Sequence, residues 1–247
     1  MKPDLIVSQP RSVDYPIWRF TIQKCRRDFD QVLVVVHEDH RDLDNREWIR
    51  THFPEGELLE ADPTLPGQDW RNNCIQPALR KSRSEWVLFM EQDFLPEDDL
   101  FFKRVFAKTE DKDVIGFADG NHWSINVRLH PAFLLLRREL IEKTDKNFSA
   151  VWPWDHFGLF CNELLELSPR FMSLQDLGET KWKHLQGLTS NFCLIASGHP
   201  PNFKPHEIAD YAQRSLACNT PIHPEFEKIL TKAITYGETS SGGIPPA

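Results

Sequence analysis

The sequence predicts an α/β protein in which helices flank a mostly parallel central sheet. Short, unbroken apolar runs recur at residues 5–7, 32–36 and 86–90, and segments with helical apolar spacing separate them. Unbroken apolar strands are typical of parallel sheets that are covered on both faces. A length of 247 residues suits one such domain, which we place at residues 1–236.

The N-terminal part of the chain alternates predicted strands with predicted helices. The strands are expected at residues 5–7, 31–36, 58–60 and 86–90, and the helices at residues 15–29, 45–52 and 70–82. The last of these helices contains Pro77, which we expect to kink or restart it. Because crossovers between parallel strands are right-handed, the carboxyl ends of the strands should share one edge of the sheet. Open α/β sheets bind their ligands at that edge.

The C-terminal part is less regular. We expect strands at residues 114–118, 132–136 and 192–196, helices at residues 95–108, 137–141, 158–167, 206–217 and 224–236, and a flexible tail at residues 237–247. In the first of these helices, Pro96 would occupy the first turn. Glu97, Asp98 and Asp99 would then offset the dipole at the helix start.

The charge balance limits the classes of partner. A formal net charge of −8, from 37 acidic and 29 basic residues, argues against a protein held on a polyanion by its bulk charge. Nucleic-acid binding would need a local basic patch, and residues 181–184 (KWKH) are the best candidate because they mix basic and aromatic side chains. The arginine pairs at residues 26–27 and 137–138 fit solvated helix faces better.

Cysteine usage and hydropathy bear on the compartment. Five scattered cysteines without a C-x-x-C pair predict reduced thiols. The first residues lack the pattern of a signal peptide, and the longest apolar runs are too short to span a bilayer. We therefore expect a cytoplasmic protein with no membrane partner.

Two acidic residues directly follow the apolar run at residues 86–90. Glu91 and Asp93 flank Gln92, and in an extended chain their side chains would point the same way. Paired carboxylates suit Mg²⁺ or Mn²⁺, which complete their coordination with water and substrate phosphates. A strand end that turns into solvent also carries acids, but the position of this pair late in the β-α array favours a cation site.

Three segments together resemble a known family. LIVSQPR, QVLVVVHED and WVLFMEQDF are similar to the first strand and loop, the second strand with its terminal acid, and the Asp-x-Asp strand of GT-A-fold glycosyltransferases of the inverting, family-two-like type. The resemblance covers roughly residues 4–200. The chain departs from it at Glu91, which stands where the family has Asp.

The resemblance implies a division of labour between two halves. Residues 1–100 would bind a nucleoside diphosphate-sugar such as a UDP-sugar, and residues 101–236 would bind the acceptor. Mn²⁺ or Mg²⁺ would be the cofactor, held by Glu91 and Asp93. The implied contacts to the nucleotide-sugar are Gln9, Pro10, Arg11, Glu38 or Asp39, Asn72, Asn73 and Gln92. Helix capping explains the two asparagines equally well.

The resemblance also implies a base and a third metal ligand in the second half. Asp155, in WPWDHFGLF, fits the position of the carboxylate that deprotonates the acceptor, although it also suits a helix N-cap and His156 competes for the role. A late histidine would complete the metal shell, and we favour His184 over His199.

The sequence leaves alternatives open for the acceptor and for the class of reaction. The acceptor could be a glycan, a small molecule or a hydroxymethylated base in DNA, as in phage DNA modification. Sugar nucleotidyl transfer is a second class, although the loop SQPRSVDYP has no glycine to cradle a triphosphate. A non-catalytic nucleotide-sugar-binding protein is the third.

Overall fold

The structure is a computed structural model. It describes residues 2–9, 26–36, 57–60, 70–91, 94–96, 99–119, 128–148, 157–178, 182–184, 205–217 and 224–241. The helix predicted at residues 45–52, the strand predicted at residues 192–196 and most of the helix predicted at residues 15–29 lie outside these ranges.

A seven-stranded sheet forms the centre of the described structure. In chain order its strands are β1 (Asp4–Gln9), β2 (Val32–Val36), β3 (Glu57–Glu60), β4 (Trp86–Met90), β6 (Val114–Asp119), β7 (Arg128–Arg137) and β8 (Phe171–Ser173). Their spatial order is β3-β2-β1-β4-β7-β6-β8. Only β7 runs antiparallel to its neighbours, so the predicted mostly parallel sheet is confirmed. A separate two-stranded sheet pairs β5 (Phe94–Pro96) with β9 (Trp182–His184).

Most of the described helices lie close to the positions that the sequence predicts. They are α1 (Trp70–Lys81), α2 (Phe101–Phe106), α3 (Arg138–Ile141), α4 (Gly158–Glu166), α5 (Pro205–Leu216) and α6 (Pro224–Ser241), with short 3-10 helices at Arg26–Asp28 and Leu174–Leu177. Pro77 lies inside α1, which continues through it as one helix. None of the helices that the structure describes is long and apolar enough to cross a membrane.

The prediction of one helix over residues 95–108 is wrong at its start. Phe94–Pro96 form β5, and α2 begins only at Phe101. The Phe94 side chain is buried in the core, so packing overrides the local preference for a helix. The first turn of α2 contains no acidic residue, and Asp99 precedes the N-cap. Asp99 therefore lies two residues before the first helical residue and not in the first turn, while Glu97 and Asp98 lie outside the described residues.

The last helix is longer than predicted. It continues past Tyr236 to Ser241, so the first five residues of the predicted tail are helical. The hydroxyls of Thr231, Thr235 and Thr239 each donate to the carbonyl four residues earlier, at distances of 2.8, 3.1 and 2.9 Å.

The core lies on both faces of the sheet. Side chains of β4 alternate between two buried clusters, with Trp86, Leu88 and Met90 in one and Val87 and Phe89 in the other. The first cluster is completed by Phe29, Phe94, Phe101, Phe102 and Val105, and the second by Ile75, Leu79, Phe148, Phe157 and Phe160. This two-sided burial explains why the strands are apolar without alternation.

A network of hydrogen bonds links the start of β1 to the residues that precede β4, at the amino edge of the sheet. Asp4 is fully buried and accepts hydrogen bonds from the Ser82 hydroxyl (2.6 Å), the Ser84 hydroxyl (2.8 Å) and the N–H groups of Arg83 (2.7 Å) and Ser84 (3.0 Å). Burial would raise the pKa of Asp4, but these hydrogen bonds outweigh it and lower the pKa below the usual value. Arg138 binds the Ser84 carbonyl at 2.9 Å.

A second network joins three strands at the same edge. Asp113 accepts from the Arg170 guanidinium at 2.6 and 2.9 Å and from Arg137 Nε at 3.2 Å. The Arg137 guanidinium also lies 4.7 Å from the Trp86 ring centre. The expectation that the pair at residues 137–138 lies on a solvated helix face is therefore wrong, because both arginines are tied to the sheet.

Candidate functional site

The carboxyl ends of the parallel strands form one edge, as the sequence predicts. Gln9, Val36 and Glu60 are paired across β1, β2 and β3, and each is the last residue of its strand. Ile6 pairs with Phe89, so Gln9 lies three residues beyond that pair and Glu91 two residues beyond it. The backbones of Gln9 and Glu91 therefore reach the same edge of the sheet.

Two backbone hydrogen bonds hold the half-buried Glu91 at the end of β4. Its N–H donates to the Ala132 carbonyl at 3.1 Å, and its carbonyl accepts from the Phe94 N–H at 3.2 Å. β4 ends at Met90, so the alternation of side-chain directions along a strand does not extend to Glu91. It therefore does not determine whether the side chains of Glu91 and Asp93 point the same way. Asp93 and Gln92 lie outside the described residues.

The small sheet brings a distant histidine position to this turn. In the β5–β9 register, Phe94 is paired with His184, Leu95 with Lys183 and Pro96 with Trp182. The backbone of His184 thus lies beside Phe94, the residue that follows Asp93, although 90 positions separate His184 from Phe94 in the sequence.

An aromatic group packs behind the turn. The Trp182 indole stacks on the Phe94 ring with a centroid distance of 5.4 Å and an interplanar angle of 20°, and it meets the Phe117 ring edge-on at 5.1 Å. Phe117 in turn lies 5.4 Å from the His130 ring. The indole packs against these two rings of the protein. It is therefore not an exposed ring on which nucleic-acid bases could stack, which is the role that the sequence of residues 181–184 suggests.

His130 is a residue that sequence reasoning missed. It is buried, and its Nδ1 accepts a hydrogen bond from the Ala132 N–H at 3.0 Å. The carbonyl of the same residue, Ala132, accepts a hydrogen bond from the Glu91 N–H. No motif in LHPAF marks this histidine, and only the pairing of β4 with β7 brings it to the candidate site.

A bulge explains how His130 reaches this place. Gly116 of β6 pairs with Leu134, whereas the next residue, Phe117, pairs with His130. Pro131, which has no N–H to donate, lies within the skipped stretch of β7. A Cβ at Gly116 would meet Leu134 Cδ1 at 3.2 Å and Leu129 Cδ2 at 3.3 Å, so these two side chains would have to shift by a few tenths of an ångström to admit it.

The predicted asparagines lie near the start of α1. Because α1 links the carboxyl edge at β3 to the amino end of β4, its first turn is at the site edge. Asn72 and Asn73 follow the first helical residue, Trp70, by two and three positions, which is not the N-cap position. Helix capping by these asparagines is therefore not supported.

The helix that follows the predicted base begins with a strained residue. Phe157 has a left-handed backbone with φ of 65°, which is costly for a bulky side chain. Its N–H donates to the Phe148 carbonyl at 3.2 Å, and its ring contacts Phe89 and Phe148 at centroid distances of 5.3 and 4.9 Å. The backbone is thus fixed immediately after His156.

Several predicted site residues lie outside the described residues. They are Pro10, Arg11, Glu38, Asp39, Gln92, Asp93, Asp155, His156 and His199. Gln9, Asn72, Asn73 and His184 are described at the backbone only.

The available donors suit a hard divalent cation. Two carboxylates and an imidazole, from Glu91, Asp93 and His184, match the ligand preferences of Mn²⁺ and, through the carboxylates, of Mg²⁺. Within the described ranges, no three His, Cys, Asp or Glu side chains cluster closely enough to bind a metal. Asp93 lies outside those ranges, so the match between these three residues and a divalent cation rests on the chemistry of their donor atoms and on the β5–β9 pairing.

Comparisons with known proteins identify the fold. No protein-family model matches the sequence, and no curated protein sequence is detectably similar to it. The mannosyltransferase PcManGT from Pyrobaculum calidifontis, in complex with GDP-Man and Mn²⁺, matches all of this chain and 77% of its own, with 15% identity and a TM-score of 0.50. The chain has a GT-A-like fold.

Two further solved structures are similar to the chain. Glucosyl-3-phosphoglycerate synthase from Mycobacterium tuberculosis, in complex with Mn²⁺, UDP and phosphoglyceric acid, matches 70% of this chain and 67% of its own, with 13% identity and a TM-score of 0.51. The chain spans about half (49%) of the bifunctional IspDF from Campylobacter jejuni, with 13% identity and a TM-score of 0.48.

Proposed function

We propose that this protein is a metal-dependent glycosyltransferase that moves a sugar from a nucleoside diphosphate-sugar to an acceptor hydroxyl. The proposal rests chiefly on the end of β4. There a buried strand leads into Glu91-x-Asp93 at the carboxyl edge, and the backbone of His184 lies opposite the next residue, Phe94. The GT-A-like fold supports it, since the similar structures from P. calidifontis and M. tuberculosis hold Mn²⁺ with GDP-Man or UDP.

In this proposal the N-terminal half binds the donor. Gln9, the last residue of β1, and the next two residues, Pro10 and Arg11, contact the nucleotide, and Glu38 or Asp39 accepts a hydrogen bond from its base or ribose. Asn72, Asn73 and Gln92 contact the diphosphate-sugar. The carboxyl edge supports this arrangement because the described ends of β1, β2 and β4 lie side by side there.

The chemistry would fall to the cation site and to Asp155. Glu91, Asp93 and His184 would hold Mn²⁺ or Mg²⁺, which supplies positive charge against the diphosphate leaving group. Asp155 accepts the proton of the acceptor hydroxyl while that oxygen bonds to the sugar and the sugar's bond to the diphosphate breaks. Phe157, two residues after Asp155, has a backbone held by the hydrogen bond of its N–H to the Phe148 carbonyl.

The proposed transfer has two candidate classes of acceptor. A glycan or small-molecule acceptor agrees with the net charge of −8. A hydroxymethylated base in DNA is less well supported, because the indole of Trp182 packs against Phe94 and Phe117. A gel shift on hydroxymethylated duplex DNA at increasing salt separates the two, since phosphate binding must weaken steeply with salt.

Two other classes of function remain as alternatives. A sugar nucleotidyltransferase would bind a nucleoside triphosphate more tightly than a nucleoside diphosphate-sugar. A non-catalytic binding protein would bind the nucleotide-sugar without cleaving it in the presence of any acceptor.

Calorimetry with UDP- and GDP-sugars, each with and without Mn²⁺, tests the proposed function. We expect one donor to bind with an affinity that Mn²⁺ raises at least tenfold, because a cation held by the carboxylates would offset the charge of the diphosphate. If no nucleotide-sugar binds under either condition, the glycosyltransferase proposal is wrong.

The proposed base has its own test. Asp155→Asn should leave donor affinity within about threefold of wild type while lowering turnover at least a hundredfold, since general-base catalysis contributes about 10²–10⁴-fold. The matched variant His156→Gln should keep most of the turnover. The opposite pattern would assign the base to His156.

A further inference from the structure

An aromatic contact joins β5 and β9 beside the candidate cation site. Phe94 is 1% exposed and belongs to the main core, where its ring also contacts Phe101 and Phe133. Trp182 lies across from Pro96 in the register and stacks on Phe94. The indole therefore joins β9 to a residue whose own position the core fixes.

The register of this small sheet is otherwise weakly specified. β5 and β9 have three residues each, and Pro96 contributes no N–H to the pairing. A slip of one residue would move position 184 away from Phe94 and reverse the side of the ribbon on which it lies. The backbone hydrogen bonds of so short a pair give little resistance to such a slip.

The two ring contacts of Trp182 oppose such a slip. Its indole lies between Phe94, on which it stacks, and Phe117 of β6, which it meets at 71°. Moving β9 by one residue would displace the indole by about 3.3 Å along the strand and break both contacts. Aromatic pairs of this kind contribute about 0.5–1.5 kcal/mol beyond the area that they bury.

We propose that Trp182 is a positioning residue that holds β9 in the register that brings His184 to the cation site. This inference rests on the proposed function, because it assumes that His184 is a ligand. Trp182 acts through the strand and does not touch the cation. Residues that orient metal ligands typically change metal affinity by about 10–100-fold when they are replaced.

The test measures Mn²⁺ affinity of the full chain by the loss of the electron paramagnetic resonance signal of free Mn²⁺. We expect Trp182→Ala and Trp182→Leu to weaken Mn²⁺ binding at least tenfold, and Trp182→Phe, which keeps a stacking ring, to weaken it less than threefold. Trp182→Leu carries the test if the alanine variant does not fold. Unchanged Mn²⁺ affinity in the alanine or leucine variant overturns the proposal.

A control separates positioning from general destabilisation. Phe106→Ala removes a partly buried ring that contacts Phe29 and Phe102 in the same core, and among the described ring contacts none joins Phe106 to Trp182. It should lower the thermal midpoint without changing Mn²⁺ affinity. An equal loss of Mn²⁺ affinity in Phe106→Ala would mean that lost stability explains the effect, and it would overturn the positioning role.

A double-mutant cycle asks whether Trp182 acts through position 184. In a His184→Ala background, Trp182→Ala should not weaken Mn²⁺ binding further. A further tenfold loss would contradict the proposed route. If Asp93→Asn abolishes Mn²⁺ binding while Trp182→Ala leaves it intact, only the role of Trp182 fails. If wild type binds no Mn²⁺, the proposed function fails, and this inference fails with it.

Discussion

At the scale of single residues, Asp4 shows how a buried charge is stabilised far from the candidate site. Its carboxylate has no solvent exposure, yet two hydroxyls and two backbone N–H groups surround it, and Arg138 lies 4.0 Å away. Charged acceptors with several donors keep a low pKa even when they are buried. This residue therefore links the first strand to the segment that precedes β4.

Asp4→Asn should destabilise the protein by about 2–4 kcal/mol, because the amide NH₂ cannot accept from the donors that face it. For a chain of this size that corresponds to a decrease of about 5–15 °C in the thermal midpoint, measurable by circular dichroism. Asp111→Asn is a matched control, since the Asp111 side chain is exposed and its ion pair with Lys112 lies at the surface. Equal midpoints for wild type and Asp4→Asn would contradict the role of the buried carboxylate.

The lowered pKa of Asp4 also predicts a pH dependence. Because the pKa is lower in the folded protein, the carboxylate stabilises the fold fully above its unfolded pKa, near 3.8, and this stabilisation is lost as the pH falls through the folded value. Wild type should therefore lose more stability than Asp4→Asn between pH 5 and pH 3. Parallel stability curves for the two proteins would show that Asp4 does not titrate in this way.

At the scale of elements, Asp113 joins strands that are distant in the sequence. It precedes β6, while its partners Arg137 and Arg170 end β7 and precede β8. Hydrogen bonds from Arg170 lower the pKa of Asp113 well below its usual range, against the opposing effect of burial. The edge of the sheet away from the candidate site is thereby fixed.

Asp113→Asn should lower the thermal midpoint by about 2–4 °C, since a charge-assisted fork that is partly open to water contributes about 1 kcal/mol. The decrease should shrink in 1 M salt, where screening weakens the pair in wild type. A decrease of the same size at low and high salt would indicate that packing, not charge, explains the effect.

The elements also show what the sequence could and could not predict. The runs in β1, β2 and β4 are unbroken because both faces are buried, and their ends were predictable to within two residues. β7 begins four residues before the predicted strand because His130 and Pro131 hide its signal. β5 and β9 were not predictable as strands, since they depend on the contact between Phe94 and Trp182.

At the scale of the whole molecule, the sheet brings together residues that are far apart in the sequence. The parallel order of β3, β2, β1 and β4 follows from the alternating pattern, and with it the convergence of their carboxyl ends. The contributions of β7 and β9 to that edge depend on long-range pairing, which no local pattern encodes. Glu91 could therefore be proposed from the sequence, whereas the proximity of His130 and Trp182 could not.

We propose that a cation-dependent nucleotide-sugar site lies at the end of β4. Its most direct test is calorimetric binding of the preferred nucleotide-sugar in Mn²⁺ to wild type, Asp93→Asn and Asp99→Asn. We expect Asp93→Asn to weaken binding at least a hundredfold, because it would remove a proposed ligand of the cation whose charge would offset that of the diphosphate. Asp99→Asn, which changes an exposed acid six positions further along the chain, should bind like wild type. Equal affinity of all three proteins would contradict the claim.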